Sequence, residues 1–448
     1  MVNFRPYDRG QQLLLPPDLR EWVPEDDLAH FVIEAVERVG LGAFKVNWVG
    51  SGKAQYHPRL MLALLIYCYA NGIFSSRRIE RATHRDVAVR FVAADQHPDH
   101  DTIATFRREN AAAIAAAFSE VLLLARELGL LKLGMVSIDG SKIDANASKI
   151  RSVRYDRAQA LRAQLEADIA ELLARAEAAD AEDAPDPQAL PKEIARRQAL
   201  KEKLDAACAR LEAQAKERAE EERPAYEEKK RRHEARNGAG HPPKDPDDTP
   251  PPGVQSNLTD PDSALMRKSK RHEYRQAYNT QAVVDAEGSQ LVLGADVSPS
   301  ASDAPTFQAI IEALCEQVGQ PSTVLGDSGF AQEKAVTALE ARDIEVLVAV
   351  SRPEGERRYD FRPPKQNAKP PPEIRAEWRK TMKERLETKE AKAKYRLRKC
   401  TVEPVFGIIK NVLGFTRFHL RGLDNVKAEW LLVTLAYNCK RLVNLKAA

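Results

Sequence analysis

The sequence predicts a mixed α/β fold: a sheet with helices packed on it, an all-helical N-terminal region, and an inserted helical hairpin. Three observations predict it. Apolar residues recur at helical spacing through residues 1–131. Strand and helix patterns alternate from 274 to 350, and a charged block at 151–250 separates a first short strand from the others. At 448 residues the chain has length for two or three domains and a large core.

The N-terminal helices are expected over 27–41, 57–73, 75–94 and 102–131. Pro58 suits a first helical turn, and Ser75 and Asp101 suit N-caps. Arg77, Arg78, Arg81, Arg85, Arg107 and Arg108 are expected outside, where they would make a helical DNA-binding module. The alternative is a helical scaffold with ordinary surface arginines. His97, Asp99, His100 and Asp101 invite a metal reading, but HPDHDT is better read as a turn leading into a helix cap. GMVSIDG (134–140) reads as a strand ending at Asp139 and Gly140.

In the insert, Leu161, Leu165, Ile169 and Leu172 keep helical spacing, as do Leu200, Leu204, Cys208 and Leu211. With the break APDPQALP (184–191) this predicts two long antiparallel helices. Residues 227–253 are too polar and proline-rich to pack and are expected to form a disordered linker. Two alternating runs (278–284 and 290–297) then flank a tight hairpin at Asp285–Gly288. A helix (303–318), the strand TVLGD (323–327), a helix (331–342) and the strand EVLVAV (345–350) follow. After a basic, proline-rich stretch (352–372), helices are expected around 374–412 and 424–446.

Net charge is only +3, but its distribution is uneven. Residues 151–250 hold 20 Lys/Arg against 23 Asp/Glu, whereas residues 371–421 hold 14 against 6. A local basic excess of that size is the footprint of a surface that binds a polyanion. The near-balanced insert suits a protein partner, and a hairpin there would pair two protomers or clamp DNA. Five cysteines stand singly without a CxxC pair, which excludes a zinc ribbon or disulfide framework and fits a reducing cytoplasm. The N-terminus lacks a signal-peptide pattern, and LMLALLIYCYA (60–70) is too short to span a bilayer. The expected location is cytoplasmic.

Two aspartates, Asp139 in VSIDGSK and Asp327 in VLGDSGF, are expected at the carboxyl ends of buried strands, where ligands collect in open α/β sheets. The glycine close behind each would let the backbone turn sharply. Glu403 in TVEPVFGIIK is the third acid, and Lys410, seven residues on, would share its helical face. Pro404 follows Glu403 and is tolerated in a first turn if Thr401 is the N-cap. Glu387, Glu390 and Glu429 compete for the third place but lack the strongly basic flank. Three converging carboxylates make an all-oxygen pocket suited to Mg²⁺ or Mn²⁺ rather than zinc. Two such ions activate an attacking hydroxyl and stabilise a leaving oxygen in phosphoryl transfer.

VSIDGSKIDANASK, AYNTQAVVDAEGSQLVLGADV, VLGDSGF and YRLRKCTVEPVFGIIK together resemble the DDE transposases of bacterial insertion sequences, in the branch with a Y–R–E–K signature. HPDHDTIATFRREN resembles the amino-terminal domain of the same group. The resemblance covers the chain apart from 151–250 and implies a ribonuclease-H-like core. Its domains would be a helical DNA-binding domain (1–131), a catalytic domain (132–150 with 254–448), and an inserted hairpin plus linker (151–253). It implies Asp139, Asp327 and Glu403 as a catalytic triad holding two Mg²⁺ or Mn²⁺ ions. Tyr395, Arg398 and Lys410 match the signature. Four residues separate Arg398 from Glu403 where the signature has three, a spacing that Lys399 meets instead, so both are candidates for phosphate contact.

The implied activity is binding of terminal inverted repeats, metal-dependent cleavage and strand transfer. The partners would be double-stranded DNA, both element ends and target, and a second copy of the chain in a homodimer. The protein would associate with the nucleoid when bound to DNA. A ribonuclease-H-like nuclease without strand transfer, and an inactive DNA-binding relic, are the alternatives.

Overall fold

The computed structural model describes residues 18–46, 54–181, 189–235, 241–267, 272–350, 374 and 376–447. The basic stretch expected at 352–372 lies outside them, as does most of the break at 184–191. The N-terminal region is helical: α1 (Leu28–Glu37), α2 (Pro58–Ala70), α3 (Ser76–Arg85), α4 (Val87–Val92), α5 (His100–Glu109) and α6 (Ala111–Glu127). Two expected helices are each divided by a polar residue. Asp86 ends α3, and its carboxylate accepts from the Val89 amide at 2.9 Å to start α4. Asn110 lies between α5 and α6, with its side-chain oxygen committed to the Lys45 amide at 2.8 Å. The cap of α5 is Asp99 rather than Asp101, since Asp99 Oδ1 accepts from the amides of Asp101 (3.0 Å) and Thr102 (2.8 Å). HPDHDT is therefore the cap it was read as.

The first strand, β1 (Met135–Asp144), leads into the insert through a short antiparallel neck. There β2 (Ser152–Arg154) pairs with β3 (Gln255–Asn257) around α7 (Tyr155–Ala181) and α8 (Ala189–Ala235). Pairs Arg162–Asp205 (2.5 Å), Glu166–Lys201 (2.8 Å) and Asp168–Arg197 (3.7 Å) run up one helix and down the other, so the hairpin is antiparallel. A small core of Val153, Ala158, Leu165, Leu204 and Cys208 holds its base. One expectation fails here: residues 227–235 are the end of α8 and not linker. Their Glu, Lys and Arg residues are good helix formers and pair at i,i+4, as Glu228 does with Arg232.

The remaining strands are β4 (Ala264–Met266), β5 (Arg275–Asp285), β6 (Val292–Ser298), β7 (Thr323–Gly326) and β8 (Glu345–Val348). Between them lie α9 (Phe307–Gln317) and α10 (Glu333–Glu340). The sheet order is β4–β5–β1–β7–β8, with β6 also on β5. β5 is antiparallel to β1, β4 and β6, while β1, β7 and β8 are parallel. An antiparallel half joined to a parallel half through one shared strand is the ribonuclease-H-like arrangement. The helix expected over 374–412 is divided at Thr388 into α11 (Glu377–Glu387) and α12 (Lys389–Gly407), followed by a π turn over 408–412.

The last helix, α13 (Leu423–Ala447), joins the two halves of the molecule. Trp430 donates to the Gln281 carbonyl at 2.9 Å. Asn438 exchanges two hydrogen bonds (2.8 and 2.7 Å) with Val292, where the β5–β6 pairing shifts register and strands lose their own partners. One continuous apolar core includes residues of α1, α2, α6, the sheet and α13.

At its polar centre is Glu429, fully buried. It accepts from Tyr69 Oη (3.0 Å) and from the amides of His419 and Leu420 (2.9 Å each), with His419 Nδ1 3.3 Å away. Arg107 donates to Tyr69 Oη (2.7 Å) and the Phe74 carbonyl (2.9 Å), and lies 3.9 Å from Glu429. Arg107 is thus 4% exposed and not part of an outer basic face. Burial raises the Glu429 carboxyl, but His419, Arg107 and the Leu420 amide outweigh it and hold the group below its ordinary value. Removing one partner of a buried charge leaves the other uncompensated. Arg107→Ala is expected to cost about 3–5 kcal/mol, read as a large fall in melting temperature at neutral pH.

Candidate active site

Asp139 and Asp327 are brought together by strand register. Met135, Val136 and Ser137 pair in parallel with Thr323, Val324 and Leu325. Two residues further along each strand, the same register sets Asp139 level with Asp327, and level residues of adjacent parallel strands share a face. That face is the one α12 covers, where Leu325, Leu347 and Ala391 pack with Met135 and Tyr395. Asp139 is not at a strand end, because β1 continues to Asp144. Asp139 Oδ1 accepts from the Gly140 amide (2.8 Å), and Asp327 Oδ1 from the Gly329 amide (2.7 Å).

The glycines behind these acids serve a purpose other than a sharp turn, for neither Gly140 nor Gly329 has positive φ. Both make room for Asp303. A methyl group on Gly140 would lie 2.2 Å from Asp303 Oδ1, and one on Gly329 would lie 3.0 Å from Asp303 Oδ2 and 2.9 Å from Asp327 Oδ1. Asp303 is held by Asn279 Nδ2 (2.7 Å) and by Gln281 Nε2 to its carbonyl (3.1 Å). Sequence reading missed this residue. At the start of an expected helix, SDAP reads as a cap, yet the Asp303 side chain makes no capping hydrogen bond. Only the pairing of β5 beside β1 shows where it goes.

The other residues come from α12 and the turn after it. Arg398, with its side chain 13% exposed, lies 3.4 Å from Asp139 Oδ2 and 3.9 Å from Glu403 Oε1. Tyr395 Oη donates to the Gly326 carbonyl (3.1 Å), fixing the end of β7 next to Asp327. Lys399 is exposed and makes no ion pair with these acids among the described residues. Lys410 does not reach Glu403. It donates instead to Ser141 Oγ and the Lys142 carbonyl (3.1 Å) on β1, because the π turn rotates it out of the regular helical phase.

Thr401 is not an N-cap, and Pro404 lies inside α12. The proline has no N–H for the carbonyl four residues back. That carbonyl, on Cys400, accepts instead from Gln290 Nε2 at 2.9 Å, so the helix continues. Glu429, a rejected competitor for the third acid, is the buried hub described above.

Burial, then the charges of Asp327 and Asp303, push the Asp139 carboxyl up to about 6, against the Gly140 amide and Arg398. Arg398 lies between Asp139 and Glu403, and Asp327 and Asp303 add to the charge at Asp139, so the donors are oxygen-rich and short of positive charge, the chemistry a hard divalent cation prefers. Among the described residues, no three His, Cys, Asp or Glu side chains stand close enough to hold an ion together. Glu403, 55% exposed, is linked to Asp139 through Arg398.

A carboxyl raised to about 6 from an unfolded value near 3.9 favours the folded state below pH ~4, and that stability is lost as pH rises through about 6. In the presence of a chelator, Asp139→Asn is therefore expected to be more stable than the parent near pH 7.5, by about 1–3 kcal/mol. The difference should shrink toward pH ~4, as followed by thermal melting.

Two family models match the chain. The transposase DDE domain covers residues 248–439, which contain Asp303, Asp327, Tyr395, Arg398, Glu403 and Lys410. The transposase domain (DUF772) covers residues 17–109, the span of α1 to α5. No curated protein and no solved structure matches the chain. Asp139 precedes the first match and joins it through the β1–β5 and β1–β7 pairings. With a DDE domain on a ribonuclease-H-like sheet and a transposase domain in front of it, the chain belongs to the DDE transposases of insertion sequences, enzymes that act on DNA.

Proposed function

We propose that this transposase binds the terminal inverted repeats of its own element, cuts the 3′ ends and joins them to target DNA, as a member of the Y–R–E–K branch. The observation that carries the reading is the parallel β1–β7 register, which brings Asp139 beside Asp327 just past the end of β7, with Arg398 reaching both Asp139 and Glu403. DDE transposases work with divalent metal. In our reading Asp139, Asp327 and Glu403 hold two Mg²⁺ or Mn²⁺ ions. Such ions, when bound, supply Lewis acidity for hydrolysis and then for attack by the 3′-OH.

The chain's own residues have distinct tasks in this scheme. Asp139 and Asp327 are fixed by the sheet and by their hydrogen bonds to Gly140 and Gly329. Asp303 lies behind Gly140 and Gly329 and adds negative charge near Asp139 that a cation would relieve. Arg398 balances Asp139 and Glu403 in the free protein and would turn to the scissile phosphate once they are otherwise neutralised. Tyr395 and Lys410 act as positioning residues, one holding the end of β7 and the other the second half of β1. Lys399 would meet the phosphate backbone further out. Exposed Arg77, Arg78, Arg81, Arg85 and Arg108 remain available to DNA on the N-terminal helices. Holding two DNA ends at once calls for a homodimer in the active complex. No helix among the described residues is long and apolar enough to cross a membrane. We place the protein in the cytoplasm, on the nucleoid when bound to DNA.

The test is incubation of the purified protein and Mg²⁺ with duplexes carrying either terminus of its element, with cut positions mapped and joined products scored. Asp139→Asn, Asp327→Asn and Glu403→Gln should each lower cutting by about 10³-fold or more with DNA binding kept. Cutting that survives these changes would overturn the assignment, and cutting without joining would mark a nuclease. Asp303→Asn should lower the rate by about 10–100-fold and raise the Mg²⁺ concentration needed for half-maximal rate.

A further inference from the structure

The insert has near-zero net charge, yet the structure segregates that charge. A cleft of about 640 Å³ lies against the first turns of α8, lined by Arg196, Arg197 and Lys203. A second of about 730 Å³ lies at the far end of β1, lined by Lys149, Arg275, Arg417 and Arg421. Arg151 and Thr259 line both, so the two form one trough across the neck. Together the linings hold eight Lys/Arg and three acidic residues. Two of those acids are already engaged: Asp144 with Arg275 (3.5 Å) and Arg417 (3.7 Å), Glu193 with Arg197 (3.2 Å). Lys149, Arg151, Arg196 and Lys203 are exposed and have no acidic partner among the described residues.

The trough begins on the strand that carries Asp139. Asp144 is five residues beyond Asp139 on the same strand, about 17 Å away, or roughly five base pairs along a duplex. Arg196 and Lys203 are seven residues apart on α8, hence on one face and about 10 Å from each other. A row of cations from the end of β1 up the hairpin matches the regular negative charge of duplex DNA.

We propose that this trough seats the phosphate backbone of the DNA duplex flanking the cut, so that the insert is a DNA clamp and not a protomer-pairing device. The proposal rests on the transposase reading for the identity of its ligand but not on the catalytic triad. It is tested by equilibrium binding of the full-length protein to a duplex oligonucleotide of arbitrary sequence, with chelator present and salt varied. Arg196→Glu with Lys203→Glu should flatten the dependence of log affinity on log salt by about two contacts' worth, and weaken binding about 10–100-fold. Lys149→Glu with Arg151→Glu in the neck should do the same, which guards against misfolding of α8. Lys229→Glu with Lys230→Glu, exposed at the other end of α8, should leave the slope unchanged. Parental binding by both trough variants, or a change confined to oligomeric state in light scattering, would overturn the proposal. Binding is read with chelator present and needs no cutting, so failure of the cutting assay and failure of the clamp are separate results.

Discussion

The candidate active site depends on the pairing of β1 with β7. Two parallel strands in that register set Asp139 and Asp327 side by side, so the fold forces like charges together within a partly buried face. Coulomb repulsion and lost hydration both oppose this. The chain offsets the cost with one guanidinium and with main-chain amides, not with a second acid–base pair. Most of what surrounds the site follows from that tension. Arg398 is nearly buried because its charge is required there, and Tyr395 is spent on holding a carbonyl because the end of β7 must not move. Gly140 and Gly329 are small because yet another carboxylate has to fit behind the first two.

The N-terminal helices are not a separate bead on this sheet. Tyr69 and Arg107 come from α2 and α5, while Glu429 and His419 come from α13 and the turn before it. The buried charge is complete only when both parts are docked, so it selects one docking geometry in addition to whatever stability it adds. A DNA-binding surface on α3 and α5 would then hold a fixed bearing on the acids. Asn438 extends the same logic to the β5–β6 hairpin, whose irregular pairing is completed by α13.

Much of the sheet was legible in the sequence because its strands are buried and bounded. The runs VVD, TVLG and EVLV are too apolar to lie elsewhere, and the acids next to Gly mark their ends or bends. Asp139, Asp327 and Glu403, the acids we propose for the site, could be named from residue type and spacing, and Arg398 from its resemblance to the signature. Their neighbours could not. Asp303 looks like a helix cap in one dimension, and nothing local in the sequence separates a cap from an acid placed beside Asp139. Arg107 sits in RREN beside Arg108 with the same local pattern, yet one is buried and the other exposed, a difference set by Tyr69 and Glu429 far away in sequence. Pro404 argued for a helix start at Thr401, because the compensating donor, Gln290, comes from a distant hairpin. The length of α8 was underestimated because its charged end was judged by polarity and not by helix propensity.

The proline in α12 has a mechanical consequence. A helix interrupted at one carbonyl and then widened into a π turn is least stiff near the interruption, and Glu403 stands beside it. Asp139 sits within a laddered strand and Asp327 directly follows one. If the three acids act together as we propose, Glu403 is the member with room to adjust, on a helix that Gln290 braces at Cys400.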